Sequence, residues 1–194
     1  TKMTANLSIS FIQANLDHSR NATPVLIDSM KNGNYDYALI SDPYTVADKI
    51  TGVPPNWIIF AAPSKPRCAI IATHTTFNMF PILITPRVVA LVCTTTTASL
   101  LLVSAYAPPH FPMSSTLHDI THAMTLTEEM PMIVAGDFNA KHVVWGPSHS
   151  DARGGELLQF AMASGLVFMN NPASPPTYTN DYTDSWIDVT MASP

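Results

Sequence analysis

Residues 132–142 read MIVAGDFNAKH, and this stretch decides the fold. Its first four residues are apolar and predict a short buried strand. Asp137 and Asn139 follow at the end of that strand, two positions apart, so that in extended backbone their side chains point to the same side. A sheet holds side chains at a strand end rigidly and leaves them open to a ligand. The stretch therefore predicts a functional rim at one end of a sheet.

Polar residues end three other apolar segments in the same way. Asn15 follows an alternating segment, Asp42 follows the apolar run at 37–40, and Tyr106 ends a third run. A rim of this kind is rich in oxygen atoms, which suits Mg²⁺. This ion prefers one or two carboxylates, keeps several waters and takes its remaining ligands from phosphate. We therefore expect a magnesium site, with Mn²⁺ as an alternative ion.

Each of these residues also has a simpler explanation. Asp137 taken alone fits turn chemistry as well as it fits a site. Asn15 and Asn139 are of a type that commonly caps helices or forms turns, and an aspartate before a proline, such as Asp42, commonly starts a turn. Tyr106 fits a strand that simply ends with its ring half buried. For each residue taken alone, both explanations stay open.

Asp188 and the histidines are separate cases. Asp188 lies between apolar neighbours in a predicted late strand, and a carboxylate that points inward from such a strand needs a partner. None of the seven histidines has the helix-face or finger spacing of a zinc site. His142, which lies close behind the rim, is more typical of a solvated loop residue than of a metal ligand.

Composition narrows the class of protein. The 194 residues fit one domain over positions 1–194, and with 46% hydrophobic and 12% charged residues the chain is too apolar for a disordered tail. Two separated cysteines indicate a reducing, intracellular setting, and no apolar run approaches the ~20 residues of a membrane span. With 9 Lys+Arg and a net charge of −5, any DNA contact has to be local, assisted by metal or helped by other domains.

The order of the elements predicts the fold class. Helices are expected at 23–30, with Thr23 as the N-cap, and at 114–125 and 155–164. Apolar segments predict strands at 7–12, 37–40, 57–61, 68–73, 88–94, 100–106, 132–135, 167–169 and 185–191. This β-rich order with three interspersed helices predicts an α/β (α+β) fold, a four-layer sandwich of two packed β-sheets flanked by helices.

Several segments together resemble the endonuclease/exonuclease/phosphatase superfamily, and more closely the apurinic-endonuclease-like domains of non-LTR (LINE-type) retrotransposons. They occur in the family's order and span nearly the whole chain. The matching segments are IQANL at 12–16, LISDPY at 39–44, SAYAPP at 104–109, GDFNAKH at 136–142, WG at 145–146, DARG at 151–154 and SWIDVT at 185–190. Any one of them is weak evidence, whereas GDFNAKH followed by WG and DARG is specific for the retrotransposon branch.

The resemblance implies a role for each residue of the rim. Asn15 and Asp42 would help to hold the metal ion. Tyr106 would contact the scissile phosphate or support the leaving group. Asp137 would orient and activate the attacking water, and Asn139 would hold the phosphate. This division suits phosphoryl chemistry, which is mostly positioning and charge neutralisation with one base for the water.

The remaining segments receive roles in the same way. By the resemblance, Asp188 would pair with a histidine that binds a phosphate oxygen, and the DARG segment at 151–154 would brace loops. DNA contacts are expected from Asn139, Tyr106 and His142. Residues 177–183 are expected to form a hairpin that reads the target, because loops that reach a groove or sense DNA shape carry specificity.

Two departures from the family's pattern bear on activity. The family has glutamate where this chain has Asp42, which is one methylene shorter. The family also ends in a Ser-Asp-His segment on a further strand, so we expect a C-terminally incomplete domain that lacks its last strand and comes from a longer protein. The resemblance further implies a reverse transcriptase downstream in the same polypeptide, double-stranded DNA as the substrate and a nuclear location.

The implied function is Mg²⁺-dependent nicking of target DNA, which leaves a 3′-hydroxyl that primes reverse transcription. Two alternatives remain open. One is another phosphodiesterase or phosphatase of the same superfamily, against which the retrotransposon-like segments argue. The other is a degenerate, non-catalytic copy, which Asp42, the absent histidine segment and the net charge favour.

Overall fold

The computed structural model describes residues 9–73, 77–128, 130–146, 149–179, 182 and 184–194. The helices are α1 (Ala22–Gly33), α2 (Met113–Thr127) and α3 (Ala152–Ala163). The strands are β1 (Phe11–Asn15), β2 (Tyr37–Ser41), β3 (Thr45–Val46), β4 (Lys49–Ile50), β5 (Ile58–Ala61), β6 (Cys68–Ala72), β7 (Asn78–Ile84), β8 (Val88–Thr94), β9 (Ser99–Tyr106), β10 (Met132–Asp137), β11 (Val167–Phe168), β12 (Tyr178–Thr179), β13 (Asp184–Ser185) and β14 (Asp188–Ala192). In this described part of the chain, no helix has the length and apolar character needed to cross a membrane.

Two sheets carry the fold. The smaller has the strand order β1-β2-β6-β5, in which β1 and β2 are parallel and the other pairs antiparallel. The larger has the order β11-β14-β10-β9-β8-β7, with a parallel β9–β10 pair between antiparallel neighbours. The predicted strands at 88–94 and 100–106 are confirmed as β8 and β9, which form an antiparallel pair. Two short hairpins, β3–β4 and β12–β13, form separate two-stranded sheets.

The two sheets pack face to face through side chains that alternate along each strand. On β2, Tyr37 and Leu39 belong to the cluster between the sheets, whereas Ala38 and Ile40 belong to the cluster on the side of α1. Strands β6, β8 and β9 divide their side chains in the same manner. Because both faces of these strands are buried, their sequences are continuous apolar runs rather than alternating ones.

The helices cover the outer faces of the sheets. Leu26 and Met30 of α1 pack beneath the smaller sheet. Ile120 of α2 and Leu157 of α3 are fully buried against the larger sheet. The layers are therefore helix, four-stranded sheet, six-stranded sheet and helices, which confirms the predicted class of fold.

Three local predictions were wrong or fall partly outside the described residues. Helix α1 begins at Ala22, so that the buried Thr23 lies inside it and is not the N-cap. The late strand is divided into β13 and β14 at Trp186. The backbone carbonyl of Trp186 accepts from the side chain of Trp145, Nε1, at 3.2 Å instead of from a neighbouring strand. Its indole Nε1 donates to Ser174 O at 2.8 Å and so fixes the side chain to a loop. The first strand starts at Phe11, and the predicted residues 7 and 8 lie outside the described range.

Candidate active site

The larger sheet brings three of the predicted residues into one row. Asp137 is the last residue of β10, and its register partners are Tyr106 on β9 and Asp188 on β14. Since β10 lies between β9 and β14, these three side chains start from adjacent positions at one end of the sheet. A row of this kind needs no loop to assemble it, because the strand register alone sets the spacing.

The smaller sheet meets that row with polar side chains of its own. Asn15, the last residue of β1, donates from Nδ2 to Asp137 Oδ2 at 2.7 Å. Gln13, two residues earlier on the same side of the strand, donates from Nε2 to Asp188 Oδ1 at 2.9 Å. Hydrogen bonds between side chains therefore join the ends of the two sheets. Gln13 was not singled out from the sequence, although it lies in the quoted IQANL segment.

A cleft of about 530 Å³ opens where the two sheet ends meet. Its lining includes all but one of the residues predicted from the sequence, namely Asn15, Asp42, Tyr106, Asp137, Asn139 and Asp188. His142 is not part of that lining. Its Nδ1 accepts from the amide of Val144 at 3.2 Å, and its ring centroid lies 5.2 Å from that of Trp145. The expected contact of His142 with DNA stays a prediction.

Two of the predicted residues in the lining stand at sharp bends, Asp42 directly after β2 and Asn139 two residues after the end of β10. Asp42 has a φ of 43° and Asn139 a φ of 46°, both in the left-handed region that aspartate and asparagine tolerate better than most residues. Asn139 also donates its amide N–H to Asp137 Oδ1 at 2.9 Å. The turn explanation thus accounts for the backbone of Asp42 and Asn139, while their side chains line the cleft.

Gly136 explains why the same account does not hold for Asp137. Both residues lie within strand β10, and Gly136 has no positive φ. A Cβ atom at Gly136 would collide with the backbone carbonyl of Ala105 on the neighbouring strand. The glycine is therefore required by close strand contact rather than by a turn. Asp137 is held in regular strand geometry, and the residue is buried, with 1% of its surface exposed.

The electrostatics of the row favour a bound proton or a bound cation. Burial, followed by the negative charge of Asp188, raises the pKa of Asp137 from 3.8 to about 7, against hydrogen bonds from Asn15 and the Asn139 amide that lower it. Burial likewise raises the pKa of Asp188. A buried and a half-buried carboxylate in directly opposed positions of neighbouring strands repel each other, so a positive charge between them would be stabilised.

The donor atoms fit a hard divalent cation. One cleft collects the amide of Asn15 and the carboxylates of Asp42, Asp137 and Asp188. Among the residues that the structure describes, no three His, Cys, Asp or Glu side chains converge closely enough to form an all-protein metal group. Mg²⁺ does not require such a group, because one or two carboxylates, waters and substrate phosphates complete its shell.

Asp42 has a partner that sequence reasoning missed. Arg67 Nε donates to Asp42 Oδ1 at 2.7 Å, and His18 Nε2 lies 3.4 Å from the same oxygen. The sequence shows that Arg67 directly precedes the apolar segment at 68–72, but it does not show that this segment pairs with β2. Burial raises the pKa of Tyr106, and Asp42 raises it further, so that this phenol stays protonated.

The DARG segment braces the loops around the cleft. The Arg153 guanidinium donates to the carbonyls of Asn139 at 2.9 Å, Phe138 at 2.9 Å, Ala107 at 2.8 Å and Phe111 at 2.9 Å. The carboxylate of its neighbour, Asp151, caps α3 by accepting from the amide of Gly154 at 2.6 Å. These contacts match the bracing role that the sequence suggested for the segment at 151–154.

The hairpin β12–β13 borders the cleft. Tyr178 pairs with Ser185 in its register, and Thr177 and Tyr178 belong to the lining of the cleft. A hairpin was predicted at 177–183, and residues 180, 181 and 183 of that prediction lie outside the described range. Its part in reading DNA stays a prediction.

Comparisons with known proteins find similarity to retrotransposon proteins. A family model described as an endonuclease-reverse transcriptase matches residues 100–194. The chain is 26% identical over 197 residues to a 115 kDa protein in the type-1 retrotransposable element R1DM of Drosophila melanogaster. That match covers 96% of this chain and 19% of the relative, so the chain spans about a fifth of that relative's length.

Solved structures match over nearly the whole chain. The endonuclease domain of TRAS1, a telomere-specific non-LTR retrotransposon, superimposes with a TM-score of 0.83 at 26% identity, over 96% of this chain and 85% of that one. An AP endonuclease from Archaeoglobus fulgidus superimposes with a TM-score of 0.66 at 13% identity, over 96% of this chain and 87% of that one. The match to the AP endonuclease shows that the two proteins share a fold.

Proposed function

We propose that this chain, which belongs to the endonuclease/exonuclease/phosphatase superfamily as a retrotransposon-type endonuclease domain, nicks one strand of double-stranded DNA with the aid of Mg²⁺ or Mn²⁺. The observation that carries the proposal is the row of Asp188, Asp137 and Tyr106 on one sheet, met across a single cleft by Asn15 and Asp42 from the other. Nucleases of this superfamily generally use divalent metal ions.

The cleft supplies oxygen ligands for such an ion. We assign the amide oxygen of Asn15 and the carboxylate of Asp42 to it, with Asp137 and Asp188, which face each other on neighbouring strands, as further sources of negative charge. A bound divalent ion would neutralise charge on the phosphate and on the oxygen that leaves. Because the acidic residues of the cleft repel DNA on their own, this neutralisation also lets the phosphate approach.

Asp137 is the residue best placed to activate water. A general base works best when its pKa lies near the working pH, and the pKa of Asp137 is raised to about 7 by burial and by Asp188. Hydrogen bonds from Asn15 and the Asn139 amide hold its two oxygens in place. As Asp137 takes a proton from the water, the water oxygen bonds to phosphorus and the P–O3′ bond breaks. The departing O3′ takes a proton from solvent, which leaves a 5′-phosphate and a 3′-hydroxyl.

The other cleft residues would hold the phosphate and the leaving oxygen. Tyr106 stays protonated, so its hydroxyl can donate a hydrogen bond to the developing negative charge. Asn139 would bind a phosphate oxygen through its side-chain amide, with its backbone anchored by Arg153. Asp188, held by Gln13, would orient a phosphate-binding histidine, a role that rests on the resemblance.

The proposal extends to a longer polypeptide of which this domain would be one part. In a polypeptide that also carries a reverse transcriptase, the 3′-hydroxyl at the nick would serve as the primer for DNA synthesis. Such an enzyme would work in the nucleus, on chromosomal DNA. Target recognition would draw on the β12–β13 hairpin and on His142, which lies beside the cleft-bordering loops.

The first prediction concerns the metal. Supercoiled plasmid incubated with the protein and Mg²⁺ should convert to the open circle, EDTA should abolish the conversion, and excess Mg²⁺ should restore it. The nicks should be extended by a DNA polymerase without prior phosphatase treatment, because the reaction leaves a 3′-hydroxyl. Gel electrophoresis of time courses measures both effects.

The rival functions give different results in the same experiment. Release of phosphate from a 3′-phosphorylated oligonucleotide without plasmid nicking would identify a phosphatase. Neither activity, at any Mg²⁺ or Mn²⁺ concentration, would identify a folded, non-catalytic copy. Nicking that persists in EDTA would contradict the metal requirement.

A further inference from the structure

We propose that Arg67 is a positioning residue of the cleft, which sets the charge and orientation of Asp42 and Tyr106; this inference rests on the function proposed above. Arg67 Nε lies 2.7 Å from Asp42 Oδ1, and the Asp42 side chain is only 8% exposed. The guanidinium carbon of Arg67 lies 5.3 Å from the centroid of the Tyr106 ring. One cation therefore contacts two residues that line the cleft.

The backbone holds this arrangement in place. Asp42 N donates to Arg67 O at 2.8 Å, which extends the β2–β6 ladder one pair beyond Ser41 and Cys68. Arg67 and Asp42 thus start from paired positions at the end of the sheet. Arg67 and His18 both contact Oδ1 of Asp42, so the position of this carboxylate is set from the side of the arginine.

The ion pair is shielded from water on one side only. The Asp42 side chain is 8% exposed and the Arg67 side chain 39% exposed, so water screens the pair in part. Arginine stays protonated in proteins, so Arg67 offsets one of the negative charges around the cleft.

Removal of Arg67 should change two properties in opposite directions. Without its partner, the Asp42 carboxylate presents its full negative charge, so a divalent cation should bind more tightly. Asp42 and Tyr106 would also lose the group that orients them, so the chemical step should slow down. A residue that merely supported folding would weaken cation binding and catalysis together.

The experiment compares wild type with Arg67→Met, Arg67→Lys and the control Arg20→Met. Arg20 is exposed and outside the cleft lining. Calorimetric titration with Mn²⁺ in the absence of DNA gives the cation affinity, plasmid nicking gives kcat, and thermal unfolding reports folding. Arg67→Met should bind Mn²⁺ about 3–30-fold more tightly and lose roughly 10–100-fold in kcat.

Arg67→Lys separates charge from geometry. Lysine keeps the positive charge but lacks the planar fork that bonds a carboxylate and lies against a ring. Its Mn²⁺ affinity should stay close to that of wild type, and its kcat should remain reduced. The Arg20→Met control should match wild type in both measurements.

Each outcome bears on a specific claim. Unchanged Mn²⁺ affinity and kcat in Arg67→Met, or weaker binding and slower nicking that follow a lowered unfolding midpoint, overturn the role of Arg67. Should Arg67→Met not fold, Arg67→Lys decides: wild-type kcat overturns the role, and reduced kcat at wild-type Mn²⁺ affinity supports it. A wild-type protein that neither binds Mn²⁺ nor nicks DNA overturns the proposed function itself.

Discussion

Replacement of Asp137 by asparagine should lower the rate of DNA nicking by at least the roughly 10²–10⁴-fold that is typical of a general base. The amide of asparagine cannot take a proton from water, although it has the same shape as the carboxylate. The surrounding hydrogen bonds from Asn15 and the Asn139 amide are compatible with a side chain of this size. The loss should therefore appear in kcat, which plasmid time courses at saturating DNA measure.

The same substitution should leave the protein at least as stable, and its effect should depend on pH. The pKa of Asp137 is raised to about 7 in the folded protein, so the folded state holds this proton more tightly than the unfolded state does. The resulting stability is present below about pH 4 and is lost as the pH rises through about 7. Asp137→Asn removes this fall in the free energy of unfolding at high pH, which is on the order of a few kcal/mol.

Urea unfolding in EDTA at pH 5 and pH 8 tests this expectation. The free energy of unfolding of wild type should fall between the two values by more than that of Asp137→Asn. Asp28→Asn, on the exposed side of α1, is the matched control and should behave like wild type in nicking and in unfolding. Near-normal nicking by Asp137→Asn would remove this residue from the mechanism.

Gly136→Ala should have the largest effect on folding. The added Cβ atom would meet the backbone carbonyl of Ala105, which cannot move without breaking the β9–β10 ladder. We expect a loss of roughly 4 kcal/mol or more in the free energy of unfolding, as for other severe steric conflicts in a core. Nicking should fall as well, because the displaced strand carries Asp137.

Gly155→Ala is the matched control, since the same chemical change meets open space there. No atom lies within 4 Å of a Cβ built at Gly155, which is within α3. Alanine is favoured over glycine in a helix, so this variant should gain about 0.5–1 kcal/mol. A Gly136→Ala variant with a wild-type urea midpoint would show that β9 and β10 do not approach so closely.

The sequence was sufficient for the layers of the fold and for the main polar residues of the cleft. Apolar runs at β2, β6, β8 and β9 indicated buried strands, and the polar residues at the ends of β1, β2, β9 and β10 meet at one edge. Asn15, Asp42, Tyr106, Asp137 and Asn139 were found in this way, because a strand end is a local feature that sequence displays.

Features that depend on strand register were beyond sequence reasoning. The direct opposition of Asp137 and Asp188 arises from the antiparallel pairing of β10 with β14, which no local pattern specifies. The partnership of Arg67 with Asp42 depends on the neighbouring β2–β6 pair in the same way. The N-cap of α1 was misplaced because Thr23 has the chemistry of a cap, yet packing buries it inside the first turn.

The bond between Gln13 and Asp188 has a consequence for synthesis on the ribosome. It joins β1, which leaves the exit tunnel early, to β14, which leaves it late, and the two residues are 175 positions apart. No nascent chain shorter than that separation contains both residues. A translating ribosome therefore carries a domain without Asp188 until β14 emerges, and premature products that stop before β14 lack this carboxylate of the cleft.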